Sequence, residues 1–164
     1  MRICGPGMGG AMTVRVADAA RYLCEKSGWK LSNLALQKIL YVADMNFAGI
    51  GRGRLVDEDF EAWDYGPVIP SLYHQCKAFG SGRIPDIFWD ARSIDGTPEA
   101  QVLDVAWERL GHQSAARLVE NTHWAEGAWA KLYAPGARGR KITLEDMIDE
   151  HRNRTRRAST GSGS

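Results

Sequence analysis

The sequence predicts a mainly α-helical protein with about six helices, a small antiparallel β element and a single compact domain. Three observations lead to this prediction. The chain has 164 residues, which suffice for one hydrophobic core but not for two. Apolar residues recur at helical spacing in most segments between turn signals. The sequence contains neither an internal repeat nor the regular alternation of strands and helices that a parallel sheet requires.

The first two helices are predicted from apolar spacing and from the glycines that follow them. Residues 14–27 carry one apolar face, and Gly28 ends this helix. Ser32 is the expected N-cap of the second helix. The buried side chains of this helix and their partners in the core are expected to be Leu36, Ile39, Leu40, Ala43 and Phe47 with Leu23, Leu72 and Leu103. The glycine-rich segment 49–53 ends the helix, whereas a phosphate-binding loop would open one, so we expect a plain turn.

A short hairpin is expected after the second helix. Residues 55–56 and 60–65 would pair around an acidic turn at 57–59, because the side chains of 60–65 alternate between two faces. The glycine-proline dipeptide at 66–67 would form a turn. Pro70 fits the first turn of a third helix, where its missing N–H carries no penalty.

The second half of the chain contains three helix-start signals. Residues 83–96 would add a strand. Residues 97–99 read threonine, proline and glutamate, which is typical of a helix start. Ser114 begins a short helix, and a further short helical piece surrounds Trp129. Residues 143–146 begin with threonine and end with aspartate, close to a capping box, and open the last helix.

Both ends of the chain are expected to lie outside the folded domain, which would span residues 13–151. Residues 1–12 are glycine-rich and predict a flexible segment. Residues 152–164 contain four arginines followed by small polar residues, which predicts a disordered basic tail that could contact an acidic partner surface. Cys24 and Cys76 lie among apolar residues and are expected in the core. Three cysteines at long spacings, with no signal peptide or membrane span, indicate the reducing cytosol.

Three stretches of the sequence resemble the Panacea domain, a family of antitoxins. The first is LALQKILYVA at residues 34–43, and the second is EAWDYGPVIP at 61–70. The third is the dipeptide His-Trp at 123–124, ahead of KIT at 141–143. The resemblance covers residues 14–150. The second stretch is the most specific, because its tryptophan, tyrosine, glycine and two prolines stand in a fixed order.

The chain differs from the family pattern at a few positions, and the resemblance implies a function. Ala35 stands where the family usually has lysine, and Trp129 is a second candidate for the late tryptophan of the family pattern. Within the family the chain is most similar to the SocA-like branch. Membership would imply an antitoxin that binds a cognate protein toxin and, as an adaptor, hands that toxin to the ClpXP protease through ClpX. From the residues themselves we expect no cofactor, no membrane contact and a cytoplasmic location.

The candidate partner-binding residues lie in the second and third stretches. They are Trp63, Tyr65, Gly66, Pro67, His123 and Trp124. In one interpretation, the two aromatic residues of the second stretch fill the core, and the glycine and proline form a rigid turn. In the other, the turn presents an aromatic edge to a partner. The structural interpretation is favoured.

No catalytic or metal site is predicted. Glu61 and Asp64 would lie on opposite faces of a strand, so they and His74 are not expected to converge on one substrate atom. The four histidines lack the spacing of metal ligands. The net charge of +1 argues against a nucleic-acid partner. A small DNA-binding regulator and a small enzyme are the alternatives to an antitoxin.

Two cationic residues allow opposing interpretations. Lys38 stands among apolar residues and is either a buried lysine with a lowered pKa or a lysine whose head reaches solvent or an acid. The second is expected. His123 is expected to close a helix and to be stabilised there by the helix dipole.

Overall fold

The computed structural model describes residues 13–137 and 139–161. The helices are α1 (Val16–Lys26), α2 (Asn33–Gly49), α3 (Pro70–Cys76), α4 (Pro98–Leu110), α5 (Ala115–Thr122), α6 (Ala128–Leu132) and α7 (Leu144–Gly161), and the strands are β1 (Glu61–Trp63) and β2 (Gly66–Val68). The strands form a two-stranded antiparallel sheet. The mainly α class with a small antiparallel β element is confirmed, with seven α-helices in the described ranges rather than about six.

Helix α2 is the central element of the fold. It is apolar on nearly all sides and packs against α1, α4, α5, α7 and β2. A helix of this kind is stable only when other elements surround it. All eight residues that the sequence assigns to the shared core are buried.

The predicted helix starts are confirmed by their hydrogen bonds. Ser32, Thr97 and Ser114 each accept a bond from the backbone N–H three residues later. Thr143 and Asp146 form the predicted capping box. The Thr143 amide donates to the Asp146 carboxylate at 2.9 Å, and the Asp146 amide donates to the Thr143 hydroxyl at 3.1 Å. These bonds satisfy N–H groups that have no partner inside the helix.

The strand pairing of the hairpin differs from its prediction. The dipeptide at 66–67, expected as a turn, lies in β2 and pairs with residues 62–63 of β1. Val56, expected in the first strand, instead forms an isolated parallel bridge with Val14. Proline usually argues against a strand, because it cannot donate a ladder hydrogen bond. Here the residue opposite Pro67 is Ala62, whose own amide donates to the Arg140 carbonyl on the other side, so this pair needs no hydrogen bond from the proline nitrogen.

One further segment differs from its sequence-based prediction, and another agrees with it. Residues 83–96 form turns and loops instead of a strand, and they are fixed by burial of Ile84, Phe88 and Ile94. Apolar and polar side chains do not alternate in this segment, so it lacks the pattern of a strand. Its apolar side chains enter the core from separate turns. The segment after α2 is a plain turn as predicted, with Gly51 at a φ of +85°.

The prediction of a disordered tail from residue 152 is wrong for residues 152–161, which continue α7. Arg154 explains the continuation. Its guanidinium contacts the buried carboxylate of Glu150 at 2.7 Å and donates to the Asn121 carbonyl at 2.7 Å. Glu150 in turn accepts bonds from the Tyr41 hydroxyl and from the Ala128 amide. Composition alone could not show these partners. Residues 1–12 and 162–164 lie outside the described ranges.

The cysteine prediction holds where the structure describes it. Cys24 and Cys76 are buried and not bonded to each other. Burial raises the pKa of the Cys24 thiol to about 12 and that of the Cys76 thiol to about 11. Both thiols therefore stay protonated and act as small apolar side chains. None of the helices in the described part of the chain combines the length and apolar character that a bilayer crossing requires.

Candidate partner-binding site

Two consecutive side chains of α2 hydrogen-bond to the backbone of β2 and of the residue that follows it. Gln37 Oε1 accepts a hydrogen bond of 2.9 Å from the Ile69 amide, and Gln37 Nε2 donates one of 3.3 Å to the Ile69 carbonyl. Lys38 Nζ donates a hydrogen bond of 2.8 Å to the Pro67 carbonyl. Backbone groups at a buried sheet edge need such partners. The first two stretches identified in the sequence therefore bind each other.

Lys38 is fully buried. Burial lowers the pKa of its ammonium group to about 7, and no described carboxylate compensates. The expectation that its head reaches solvent or an acid is wrong. The lysine cannot extend to water because α2 is surrounded on nearly all sides. The alternative interpretation, a buried lysine with a lowered pKa, describes the structure. The amine is nevertheless sealed from solvent, which leaves it a structural role.

Position 66 requires glycine for two reasons, its backbone conformation and the close approach of neighbouring side chains. Its φ is +110°, a region that favours glycine. A Cβ atom at this position would lie 2.9 Å from Thr122 Oγ1 and 3.0 Å from Lys38 Nζ. The backbone of β2 can approach the lysine only because residue 66 has no side chain. This glycine therefore serves the fold, as the structural interpretation proposes.

Three aromatic rings stack on one another near the hairpin. Trp129 lies in α6, His123 follows α5, and Tyr133 follows α6. The rings of His123 and Trp129 are parallel, with centroids 3.6 Å apart and an angle of 4°. Tyr133 also stacks on Trp129, with ring centroids 4.5 Å apart. His123 closes α5 as predicted. Trp129 is thus the late tryptophan that pairs with this histidine.

His123 is not stabilised as a cation. Burial and the nearby charge of Lys38 lower the pKa of its imidazole, against a hydrogen bond with the backbone of Tyr65 that raises the pKa. The expected effect of the helix dipole is outweighed by these two causes. Its Nε2 atom is buried and has no hydrogen-bond partner among the described residues. The neutral imidazole therefore acts as a packed ring beneath the hairpin.

The ring stack holds the tip of the β1–β2 hairpin. Trp129 Nε1 donates a hydrogen bond of 2.6 Å to the Trp63 carbonyl. The Tyr133 hydroxyl donates one of 2.6 Å to the Asp64 carboxylate. His123 also forms a hydrogen bond with the backbone of Tyr65. These three contacts fix three consecutive residues of the hairpin. The hairpin tip is therefore rigid, although a two-stranded hairpin alone is marginally stable.

An apolar groove lies beside the hairpin tip. Its volume is about 390 Å³, and its apolar and aromatic walls are Leu34, Trp63, Tyr65, Val68 and Tyr73. Trp63 is largely buried and packs edge-on against Tyr73 at 5.2 Å. Tyr65, in contrast, is 70% exposed. A rigid, exposed aromatic beside an apolar groove has the character of a protein-interface hot spot.

The structure separates the six predicted contact residues into three groups. Gly66 and Pro67 are buried and belong to the fold. Trp63, Tyr65 and His123 lie at or beneath the hairpin tip, and only Tyr65 is strongly exposed. The sixth residue, Trp124, does not line this groove. Its ring faces α7, where the Arg154 guanidinium lies 4.7 Å from the ring centroid.

The acidic side chains of the second stretch bind different partners. Glu61 accepts a hydrogen bond of 2.9 Å from Trp63 Nε1, whereas Asp64 is held by Tyr133. His74 is exposed, and its ring lies edge-on to that of Trp63. Within the described ranges, no group of three or more histidine, cysteine or acidic side chains is placed to hold a metal ion.

Two important residues of the site were not identified from the sequence. Gln37 offered a signal, because a polar residue on an otherwise apolar helix needs a buried partner. Tyr133 offered none, since its bond to Asp64 joins residues that lie 69 positions apart. Such a contact is decided only when α6 packs against the hairpin.

Known proteins match this chain over most of the region just described. A family model for the antitoxin SocA-like Panacea domain matches residues 36–130, from α2 to α6. A curated relative, Antitoxin SocA of Caulobacter vibrioides (strain NA1000 / CB15N), is 34% identical over 142 residues. That alignment covers 79% of this chain and 75% of the relative. No solved structure matches.

Proposed function

We propose that this chain, which belongs to the SocA-like Panacea antitoxin family, binds a cognate protein toxin in the cytosol and delivers it to the ClpXP protease. The observation that supports the toxin contact is the exposed ring of Tyr65 on a hairpin tip fixed by three bonded neighbours. A surface that is already rigid loses little conformational entropy on binding, so more of its contact energy becomes affinity. The adaptor step rests on the family relationship.

The toxin contact is tested with Tyr65→Ala. The toxin is expected from the open reading frame next to this gene, and its expression alone should arrest growth. Removal of a central aromatic residue should weaken toxin binding by about tenfold or more, which corresponds to a typical hot spot of about 2 kcal/mol. Isothermal titration of the purified pair measures the affinity.

Trp89→Ala is the matched control, because Trp89 is the more exposed aromatic residue at 84% and does not line the groove. Its loss should leave the toxin affinity within about twofold of the unmodified protein. Equal losses in both variants, or no loss in Tyr65→Ala, would place the toxin contact elsewhere.

The adaptor step needs a second contact, with the protease. Tethering raises the local concentration of a client at the protease to about the millimolar range without any chemistry by the adaptor. We expect the terminal arms to make the weaker contact. Deletion of residues 1–11 should slow toxin degradation by ClpXP while toxin capture in a pull-down stays intact. The C-terminal arm cannot be removed in the same way, since residues 152–161 contain Arg154 and its bonds.

Two outcomes would change this proposal. If ClpXP degrades the toxin equally fast without this protein, simple masking of the toxin is the better mechanism. If the arm-deleted chain delivers the toxin at the full rate, the protease contact lies on the folded body.

We also propose that the protein acts by binding and not by catalysis. Both side chains make structural contacts with Trp63: Glu61 accepts a hydrogen bond from its Nε1, and His74 lies edge-on to its ring. Folded Glu61→Ala and His74→Ala variants should therefore neutralise the toxin within a few fold of the unmodified protein, as measured by growth rescue. A folded His74→Ala variant that no longer rescues growth would support an enzyme instead.

A further inference from the structure

A basic trough lies between α4, α5 and α7. It consists of two adjoining depressions with volumes of about 360 and 260 Å³. Both are lined by Gln113, Asn121 and Arg154, so they form one continuous surface. The trough shares no lining residue with the groove beside the hairpin tip. It is therefore a second, separate surface.

The trough carries an excess of unpaired positive charge. Arg109 and Arg117 line its two parts, are exposed, and make no ion pair or side-chain hydrogen bond with any described residue. Arg154 lies between them and uses Nε and Nη2 for the buried Glu150. Among the described residues that line the trough, Glu120 is the only one with a carboxylate. Two guanidinium groups thus remain available for an anionic ligand.

Trp124 adds an apolar wall to this charged surface. It lines the smaller depression and is held by the guanidinium of Arg154 at 4.7 Å from its ring centroid. Gln113 and Asn121 line the same depression. A segment that binds here must offer carboxylates to the arginines and an apolar group to the indole ring.

We propose that this trough binds an acidic segment of a partner protein, with carboxylates paired to Arg109 and Arg117 and an apolar side chain against Trp124. Guanidinium groups bind carboxylates through two parallel hydrogen bonds, which gives this contact orientation as well as affinity. The surface does not depend on the toxin contact at the hairpin tip. It would supply one of the two separable contacts that any adaptor requires.

The surroundings of the trough favour a peptide over a nucleic acid. Nucleic-acid backbones follow extended basic surfaces that neutralise several phosphates. On α7 two of the three arginines beyond the trough are paired with acids, Arg152 with Asp149 and Arg157 with Glu126, and Arg156 makes no ion pair with a described residue. Phosphates that extended beyond the trough would meet these carboxylates. A short acidic segment fits within the basic surface.

The experiment uses fluorescence anisotropy of a short, fluorescein-labelled, glutamate-rich peptide with a central leucine, mixed with the full chain. The double substitution Arg109→Ala with Arg117→Ala should weaken binding by about tenfold or more, since it removes both guanidinium groups that would pair with the peptide carboxylates. The matched control is Arg52→Ala with Arg83→Ala. These arginines are also exposed and lack ion pairs among the described residues, and the two double variants have equal net charge. The control should bind within about twofold of the unmodified protein.

A second arm keeps the test specific. Arg109→Glu with Arg117→Glu should lose the glutamate-rich peptide and gain binding to a matched lysine-rich peptide. The proposal is overturned if the unmodified chain does not bind the acidic peptide. It is also overturned if both double alanine variants lose equal affinity, which indicates only long-range attraction. Tighter binding of a single-stranded RNA oligonucleotide of matched charge, lost in the same arginine variant, would assign the trough to nucleic acid instead.

Discussion

Lys38 Nζ and the Pro67 carbonyl are joined by a hydrogen bond of 2.8 Å inside the protein, and the lysine is fully buried. The bond joins the central helix to the second strand of the hairpin. It thereby links the two sequence stretches that identify the family. The predictions below begin with this contact.

Lys38 should make stability depend on pH. Its pKa is lowered from 10.5 to about 7 in the folded chain, so between these values the unfolded state binds more protons. The free energy of unfolding should therefore rise as pH rises from 7 to 8.5, with a slope of at most about 1.4 kcal/mol per pH unit. Urea unfolding at several pH values measures the slope. This range lies above the lowered pKa of His123 and below the ordinary pKa of 9.0 at which the Cys24 thiol of the unfolded chain titrates.

Lys38→Met should remove most of this slope, because methionine fills the same space without a proton to bind. Lys30→Met is the control, since Lys30 is exposed and its substitution should leave the slope unchanged. An equal slope in the Lys38→Met variant would show that other groups cause the pH dependence.

Gly66→Ala should destabilise the protein by about 2–4 kcal/mol. The new methyl group would collide with Lys38 and Thr122, and alanine would be strained at the φ of +110°. Gly53→Ala separates these causes. Gly53 has a φ of +84° but nothing within 4 Å of the added Cβ, so only the backbone strain of about 1 kcal/mol remains. Thermal unfolding compares the two variants, and equal losses would contradict the proposed collision.

Arg154→Ala should cost on the order of 3 kcal/mol, because it leaves the carboxylate of Glu150 buried without its cation. Circular dichroism should also show a lower helix content, because the end of α7 loses its anchor. Arg157→Ala removes an ion pair whose side chains are 68% and 41% exposed, and it should cost less than about 1 kcal/mol. If chemical unfolding gives similar values for both variants, the pair with Glu150 does not anchor the end of α7.

Leu40→Ala should cost about 2–5 kcal/mol, since Leu40 is fully buried in the central helix and its truncation leaves a cavity. Val105→Ala is the comparison on a surface position, because Val105 is 41% exposed. Its effect on the urea midpoint should be small. A Leu40→Ala variant as stable as the Val105→Ala variant would contradict the central position of α2.

Much of the fold could be predicted because its signals are local. A serine or threonine before an apolar stretch caps the helix that follows, whatever packs against it later, and Ser32, Thr97 and Ser114 all do so. The apolar positions of α2 likewise predicted its burial. The strand pairing of the hairpin, in contrast, could not be predicted from neighbouring residues. The pairing of Pro67 depends on the direction in which the Ala62 amide points, and that amide donates to Arg140, far along the chain.

The sequence predicted which residues belong to the candidate site but not how they are arranged. The sequence identified Tyr65 and Trp124 together, whereas the structure places them on different surfaces. It also offered two environments for Lys38 and could not select the buried one. The reason is that exposure depends on what other elements cover, and α3, α5 and β2 cover this region only after the chain has folded.

The sequence by itself therefore determined the helical class, the helix starts, the core of α2 and the family relationship, because residue type and spacing act over a few positions along the chain. The tertiary structure alone decided that Lys38 is sealed, that Arg154 extends α7 onto the domain, and which aromatic rings are available to partners. These properties depend on contacts between residues far apart in sequence. Desolvation and hydrogen bonding at such contacts arise only when the elements pack together.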